Sequence, residues 1–200
     1  MIRTIVFDFG NVIGFFDYGL TLGRLTAHTD LSADDLRAAY YGGDLEAAYD
    51  AGRLSTPAFL RRLCEIGKLR CAPEVVAAAW ADIFRPNPDV CALLPVLKPR
   101  YRLLLASNTN ELHSRQFRRQ FAEHLRYFDA LVLSHEIGCR KPEPAFFEHC
   151  RKLAGCAPEE CLFIDDLATN VAGARQLGWH GIVYQDIADL KARLTELGVR

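Results

Sequence analysis

The sequence predicts an α/β fold, a Rossmann-like doubly wound parallel sheet with a helical cap inserted after its first strand. Three observations predict it. Five short apolar runs without polar alternation read as strands covered on both faces. Amphipathic helical stretches alternate with the later runs, as βαβ units require. One long segment after the first run shows helical periodicity and no convincing strand.

In chain order, the strands are expected over residues 4–7, 102–106, 130–133, 162–164 and 181–184. The helical stretches between and after the later ones cover 110–125, 144–153, 169–177 and 187–197. Gly155, Gly178 and Gly198 stand just beyond three of them, where a left-handed C-cap is wanted. The segment that breaks the rhythm holds helical patterns over 33–41, 56–66 and 73–84. Pro86, Pro88, Pro95 and Pro99 punctuate the return to the sheet, because proline cannot continue a helix and biases its predecessor toward extended backbone. The expected division is therefore a core of residues 1–16 and 96–200 with a cap of residues 17–95. No internal repeat, low-complexity tract or heptad pattern interrupts it.

Composition narrows the partners. A chain of 200 residues, 50% of them hydrophobic, can bury a full core in one domain with a sizeable insertion. Its 24 basic and 25 acidic residues nearly cancel, so no strong field favours nucleic acid or an anionic membrane, and a small ligand is the expected partner. The N-terminal apolar run breaks at Asp8, too early for a signal sequence or a membrane span, which points to a cytoplasmic protein. Seven cysteines, odd in number and never spaced as a zinc site, read as reduced structural thiols.

The chemistry gathers where the strands end. Ligands of an open α/β sheet bind outside the carboxyl ends of its strands. Four clusters fall there: Asp8-Phe9-Gly10-Asn11, Ser107-Asn108-Thr109-Asn110, Arg140-Lys141-Pro142, and Asp165-Asp166 with Asn170 one turn into the next helix. Three carboxylates at converging strand tips repel one another unless a cation neutralises them, and hard oxygen ligands suit Mg²⁺. An Asp with a free oxygen can attack phosphorus and form an aspartyl-phosphate that water then hydrolyses. Ser107 and the helix N-terminus after it offer hydroxyl and N–H donors, and Lys141 a compact positive charge, to a phosphoryl group in transfer. Singly, each cluster also has an ordinary reading: a turn or cap for Asp8 and Ser107-Asn108, a solvated side chain for Lys141. Adjacent acids after a buried strand are harder to explain away, because they are costly without a partner.

The runs FDFGNVI, SNTNELH, GCRKPEPAFF and DDLATNVAGARQLG resemble, along the whole chain, the haloacid dehalogenase superfamily. Within it they look like the subgroup of bacterial sugar-phosphatase-like proteins and the phosphatase domain of soluble epoxide hydrolases. The resemblance implies a Mg²⁺-dependent phosphatase that acts on a small phosphorylated metabolite such as a sugar phosphate. It makes Asp8 the nucleophile and a metal ligand, the carbonyl of Gly10 a second ligand, and Asp166, with Asp165 beside it, the rest of the acidic shell. It assigns Ser107, Asn108 and Lys141 to catalysis and phosphoryl binding, Asn11 to the substrate side, and Asn170 to bracing the site from behind. The insertion matches the family's cap, which closes over small substrates and excludes water.

One departure matters. Most phosphatases of that superfamily carry a second Asp two positions after the nucleophile, as acid for the leaving group and base for the water, and here that position is Gly10. Asn11 has no titratable proton, which leaves Asp17, on the segment leading to the cap, as one candidate replacement. His113, His135 and Arg140 lie near the site in sequence and read as surface or supporting side chains, and the aromatics Phe15, Phe16, Tyr18, Tyr40, Tyr41 and Tyr49 as cleft lining or cap packing. Three rival functions follow. A 2-haloacid dehalogenase would use the same nucleophile on carbon without a metal, against which Asp165 and Asp166 argue. A catalytically impaired binding module would account for Gly10, and a phosphoacceptor receiver would lack the helical insertion.

Overall fold

Every residue of strand β1 (Thr4–Phe7) is buried, and its neighbours on both sides are strands of the same kind. The computed structural model describes residues 1–200. Four further strands, β4 (Arg102–Ser107), β5 (Ala130–Leu133), β6 (Cys161–Asp165) and β7 (His180–Val183), join β1 in a parallel sheet of order β5-β4-β1-β6-β7. From β1 the chain steps outward through β4 and β5, then returns to the other side for β6 and β7. The reversal falls beside β1, the place where such sheets open a crevice.

Register decides what meets in that crevice. Phe7 pairs with Leu105 on one side and Ile164 on the other. The next residues, Asp8, Ala106 and Asp165, therefore leave the sheet side by side, with Ser107 one step beyond.

Helices cover both faces, which is why the strands carry no polar alternation. Ile5, Phe7, Leu103, Leu105, Leu162 and Ile164 face one core cluster of 21 residues with Phe117, Phe121, Leu190 and Leu194. Val6, Leu104, Ala106 and Phe163 face another of 14 with Phe146, Phe147, Cys150, Val171 and Trp179. Full burial of such side chains is worth about 1.5–3 kcal/mol each. The covering helices are α8 (Glu111–Gln120), α9 (Ala122–Leu125), α10 (Ser134–Ile137), α11 (Pro144–Ala154), α12 (Ala168–Gln176) and α13 (Ile187–Glu196). Gly155, Gly178 and Gly198 adopt φ of 67, 84 and 71° at or just past three helix ends, the left-handed closure expected there.

Between β1 and β4 stand five longer helices: α1 (Tyr18–Leu25), α2 (Ala33–Tyr40), α3 (Asp44–Asp50), α4 (Thr56–Ile66) and α5 (Pro73–Ala81). They enclose a third cluster built on Leu22, Leu36, Tyr40, Tyr49, Phe59, Leu63, Val76 and Trp80, closed from the core side by Leu112 of α8. Two strands that the sequence reading leaves out tie this cap down: β2 (Gly14–Phe16) pairs antiparallel with β3 (Phe84–Pro86). Three residues are too few to show alternation, so their pairing is dictated from outside the segments. The division also shifts. Val90, Cys91, Leu94 and Leu97, in the short helices α6 (Pro88–Cys91) and α7 (Leu94–Leu97), pack into the sheet's own cluster. We therefore place the end of the cap at Asn87 rather than at residue 95. No helix is long and apolar enough to cross a membrane.

Candidate active site

Asp8 leaves β1 with its N–H bonded to the Ile164 carbonyl at 2.8 Å, which aims its side chain between β4 and β6. There it meets Lys141. The Lys141 Nζ donates to Asp8 Oδ1 at 2.5 Å, to Asp165 Oδ2 at 2.7 Å and to the Ala106 carbonyl at 2.9 Å, so all three of its protons are engaged. Burial disfavours its charge, yet the two carboxylates outweigh that and hold it above the ordinary lysine range. For Asp8 the balance runs the other way. Burial, with the charges of Asp165 and Asp166 beside it, pushes its carboxyl up to about 7 against the pull of Lys141.

Asp165 is fully buried and satisfied by the protein. Its oxygens accept from Lys141, from the Leu167 N–H at 2.8 Å and from both contacts of Asn170 Nδ2 at 3.0 Å. It therefore stands behind the site, and Asn170 braces it. Asp166 is half-buried, burial raises its carboxyl, and its Oδ2 accepts from Asn11 Nδ2 at 2.9 Å. Asn11 holds φ at 55°, a left-handed conformation that asparagine tolerates, and this turn carries its amide to Asp166. Asn108 has a comparable supporting geometry. Its amide accepts from the Lys141 N–H at 2.8 Å and donates to the Lys141 carbonyl at 2.9 Å, so its side chain fixes the lysine loop.

Asp8, Asp165 and Asp166 each bring a carboxylate oxygen within 4.8 Å of the others. Against three negative groups stands one lysine, so the surplus charge and the oxygen donors fit a divalent cation. Asp8 Oδ2 and Asp166 are the groups the protein leaves available for one.

Above these tips opens a cleft of about 270 Å³, lined from the core by Asp8, Gly10, Asn11, Ser107, Asn108, Arg140, Lys141 and Asp166. The cap adds Tyr18, Glu46 and Asp50, and Phe16 and Phe84 of the β2–β3 strap close one wall. A Cβ at Gly10 would lie 3.2 Å from Phe16 Cε1 and 3.7 Å from Asp8 Oδ2, so a side chain there would press on the phenylalanine ring, which would have to give way slightly. Asp17 is not in the cleft. It is exposed and caps α1, accepting from the Gly19 N–H at 2.7 Å. His113 lines the cleft but is held by Asn110 and the Trp80 carbonyl. His135 lies outside it against Ser114. Tyr40 and Tyr49 belong to the cap's buried cluster.

Glu46 and Asp50 are the ionisable cleft residues that sequence reasoning misses. They lie four residues apart on α3 and so share one face, but that spacing on a surface helix is commonplace. Only the docking of α3 onto the core makes them neighbours of the site.

The comparisons agree with this geometry. The family model for haloacid dehalogenase-like hydrolases matches residues 2–178. A D-ribitol-5-phosphate phosphatase of Bacteroides thetaiotaomicron is 29% identical over 202 residues, 98% of each chain. The N-acylneuraminate-9-phosphatase of Mus musculus is 36% identical over 100 residues, 48% of this chain and 39% of that protein. Among solved structures, a HAD-like family hydrolase of Porphyromonas gingivalis superposes with a TM-score of 0.82 at 27% identity, over 98% of both chains. A HAD family enzyme of B. thetaiotaomicron, crystallised with magnesium and inorganic phosphate, shares the fold with a TM-score of 0.81 at 22% identity, over 95% of this chain and 99% of that one. The strand-tip aspartates, the lysine between them and the match across sheet and cap place this chain in the haloacid dehalogenase-like hydrolase family.

Proposed function

We propose that this protein is a Mg²⁺-dependent phosphatase that hydrolyses a small phosphate monoester, a sugar or sugar-alcohol phosphate, through an aspartyl-phosphate on Asp8. One observation carries the reading: a buried carboxylate, with one oxygen on Lys141 and the other without a protein partner, lies within 4.8 Å of Asp166 at the floor of a cleft. The whole-length likeness to a phosphatase of a five-carbon polyol phosphate supports the substrate class. Seven free cysteines fit a reducing, cytoplasmic setting.

Asp8, Asp166 and the Gly10 carbonyl would hold Mg²⁺, which when bound neutralises the carboxylates and polarises the phosphoryl oxygens. The chain's own residues do the rest. Lys141 orients Asp8 and pulls its carboxyl toward the ionised form against burial. Ser107, the last residue of β4, offers its hydroxyl to the phosphoryl group, and the Asn108 N–H follows it in the same loop. Asn11 sets the rotamer of Asp166, and Asn108 sets the Lys141 loop. The cap limits water and frames the leaving group.

The test is a panel of phosphate esters assayed with Mg²⁺ and with a chelator, alongside Asp8→Asn. Hydrolysis that needs Mg²⁺ and falls at least about 10³-fold in Asp8→Asn is expected, since the nucleophile itself is lost. Activity that survives Asp8→Asn overturns the mechanism. Halide release from a chloroacid in the presence of the chelator would assign the site to carbon chemistry instead.

A further inference from the structure

An alkyl phosphate leaves as an alkoxide unless something protonates it, and the water that later attacks the aspartyl-phosphate must lose a proton. Position 10 cannot serve, because it is glycine and Phe16 crowds its Cβ direction. Beyond Asp8, Asp166 and Lys141, the ionisable groups that line the cleft are Tyr18, Glu46, Asp50, His113 and Arg140.

Four of these five are unsuited. Arg140 does not release its proton. Burial lifts the Tyr18 phenol far above neutrality. His113 has both ring nitrogens engaged, by the Trp80 carbonyl at 3.0 Å and by Asn110 at 3.1 Å, and burial lowers it to about 4. Glu46 is bound within the cap, accepting from the Gly42 N–H at 2.7 Å and from the Tyr18 hydroxyl at 3.4 Å.

Asp50 differs in that it reaches across to the core. Its Oδ1 accepts from Asn110 Nδ2 at 3.0 Å and its Oδ2 from an Arg140 N–H at 3.4 Å. Asn110 ends the loop that starts at Ser107, and Arg140 immediately precedes Lys141. Ser134 Oγ fixes the end of α3 by donating to the Asp50 carbonyl at 2.5 Å. This one cap carboxyl is thus registered against both loops that surround the nucleophile.

We propose that Asp50 is the general acid and base of this enzyme, supplied by the cap in place of the missing residue at position 10. The proposal rests on the phosphatase reading above. In the first step an Asp8 oxygen forms the bond to phosphorus, the bond from phosphorus to the leaving oxygen breaks, and the Asp50 carboxyl gives its proton to that oxygen. The products are an alcohol, the aspartyl-phosphate and the Asp50 carboxylate. In the second, that carboxylate takes a proton from water as the water oxygen bonds to phosphorus and the bond to Asp8 breaks. Inorganic phosphate leaves, and both aspartates return to their starting states.

The surroundings of Asp50 suit both roles. Burial raises its carboxyl, Asn110 lowers it, Glu46 raises it and Arg140 lowers it, to about 6 in all. Tyr49 on the same helix and Tyr18 on α1 also face it, both neutral near pH 7. A group near 6 exchanges its proton readily in neutral solution.

The test compares two esters in wild type and Asp50→Asn, with Mg²⁺ present: p-nitrophenyl phosphate, whose leaving group needs no proton, and a sugar-alcohol phosphate, whose leaving group does. In kcat/KM, which reports the steps up to departure of the leaving group, Asp50→Asn is expected to lose about 10²–10⁴-fold on the alkyl ester and less than about tenfold on the aryl ester. The fall in alkyl-ester kcat/KM above about pH 6 should vanish with it. Equal loss of kcat/KM on both esters means that Asp50 only latches the cap, and it overturns the proposal, as does a leaving-group-dependent loss in Glu46→Gln instead. If Asp50→Asn does not fold, Asp50→Glu carries the test. It should keep alkyl hydrolysis within about tenfold and move the pH limb, and an unmoved limb with equal losses contradicts us. Wild type inert toward both esters refutes the phosphatase reading itself, and this proposal with it.

Discussion

The strand tips and the cap helix α3 each present two carboxylates to the cleft, and they are held in opposite ways. At the tips, Asp8 and Asp165 share one buried lysine, and Asp166 is set by Asn11. On α3, Glu46 is held within the cap and Asp50 by two core loops, with an arginine that is partly exposed. A buried lysine between two acids fixes geometry tightly but is costly to disturb. A cap acid tied to core loops across a seam is carried to the cleft by the packing of α3, which suits a group that handles leaving groups rather than the phosphoryl group itself.

The largest expected effect breaks the first of these arrangements. Lys141→Met leaves Asp8 and Asp165 buried without their cation, so stability should fall by about 3–5 kcal/mol and turnover by at least about 10²-fold. Urea unfolding of the variant, with phosphatase assays on the folded fraction, checks both. A second substitution strikes the seam. Gly52 holds φ at +67°, and a Cβ there would lie 2.2 Å from the His135 carbonyl oxygen of the core. Gly52→Ala should cost about 1–3 kcal/mol and reduce activity by misplacing α3. An unchanged unfolding midpoint would mean that cap and core do not meet there.

The smallest effect sharpens the comparison through pH. His113 is buried and neutral, stacked on Trp80 at 5.6 Å with 5° between planes, and lowered to about 4 by burial. Above its ordinary value of 6.5 neither the folded nor the unfolded chain protonates this ring, and its full contribution is present. As pH falls from 6.5 toward 4, the unfolded chain takes up a proton that the folded one refuses. Stability is therefore lost at a slope approaching about 1.4 kcal/mol per pH unit. The stability gap between wild type and His113→Asn should narrow between pH 7.5 and about 5 in denaturant titrations, and a constant gap would contradict this environment.

The core was largely legible from the chain, because its signals are local. A buried strand shows as an apolar run, and a functional group at its tip shows as a polar residue directly after that run, as with Asp8, Ser107 and Asp165. The parallel register then aligns tips that are far apart in sequence. The cap resisted the same reading. Asp50 becomes a neighbour of Asn110 and Arg140 only through packing of α3 against α10 and the strand loops, a contact that no spacing encodes. Asp17 misled for the complementary reason: an acid at a helix start also serves as an N-cap, and here it does only that. The β2–β3 strap was missed because each strand is three residues long. Asp165 brings an oxygen within 4.8 Å of Asp8 and Asp166, and the bonds its oxygens also accept from Lys141, Asn170 and Leu167 are visible only in the folded chain.

The central claim is that Asp8 and Asp166 share one divalent cation while Asp165 stands behind them. Calorimetric titration of Mg²⁺ into chelator-stripped protein tests it directly. Wild type should bind a single ion, and Asp166→Asn should weaken that binding by at least about tenfold, since a charged oxygen donor is lost. Identical binding in wild type and Asp166→Asn would contradict the account.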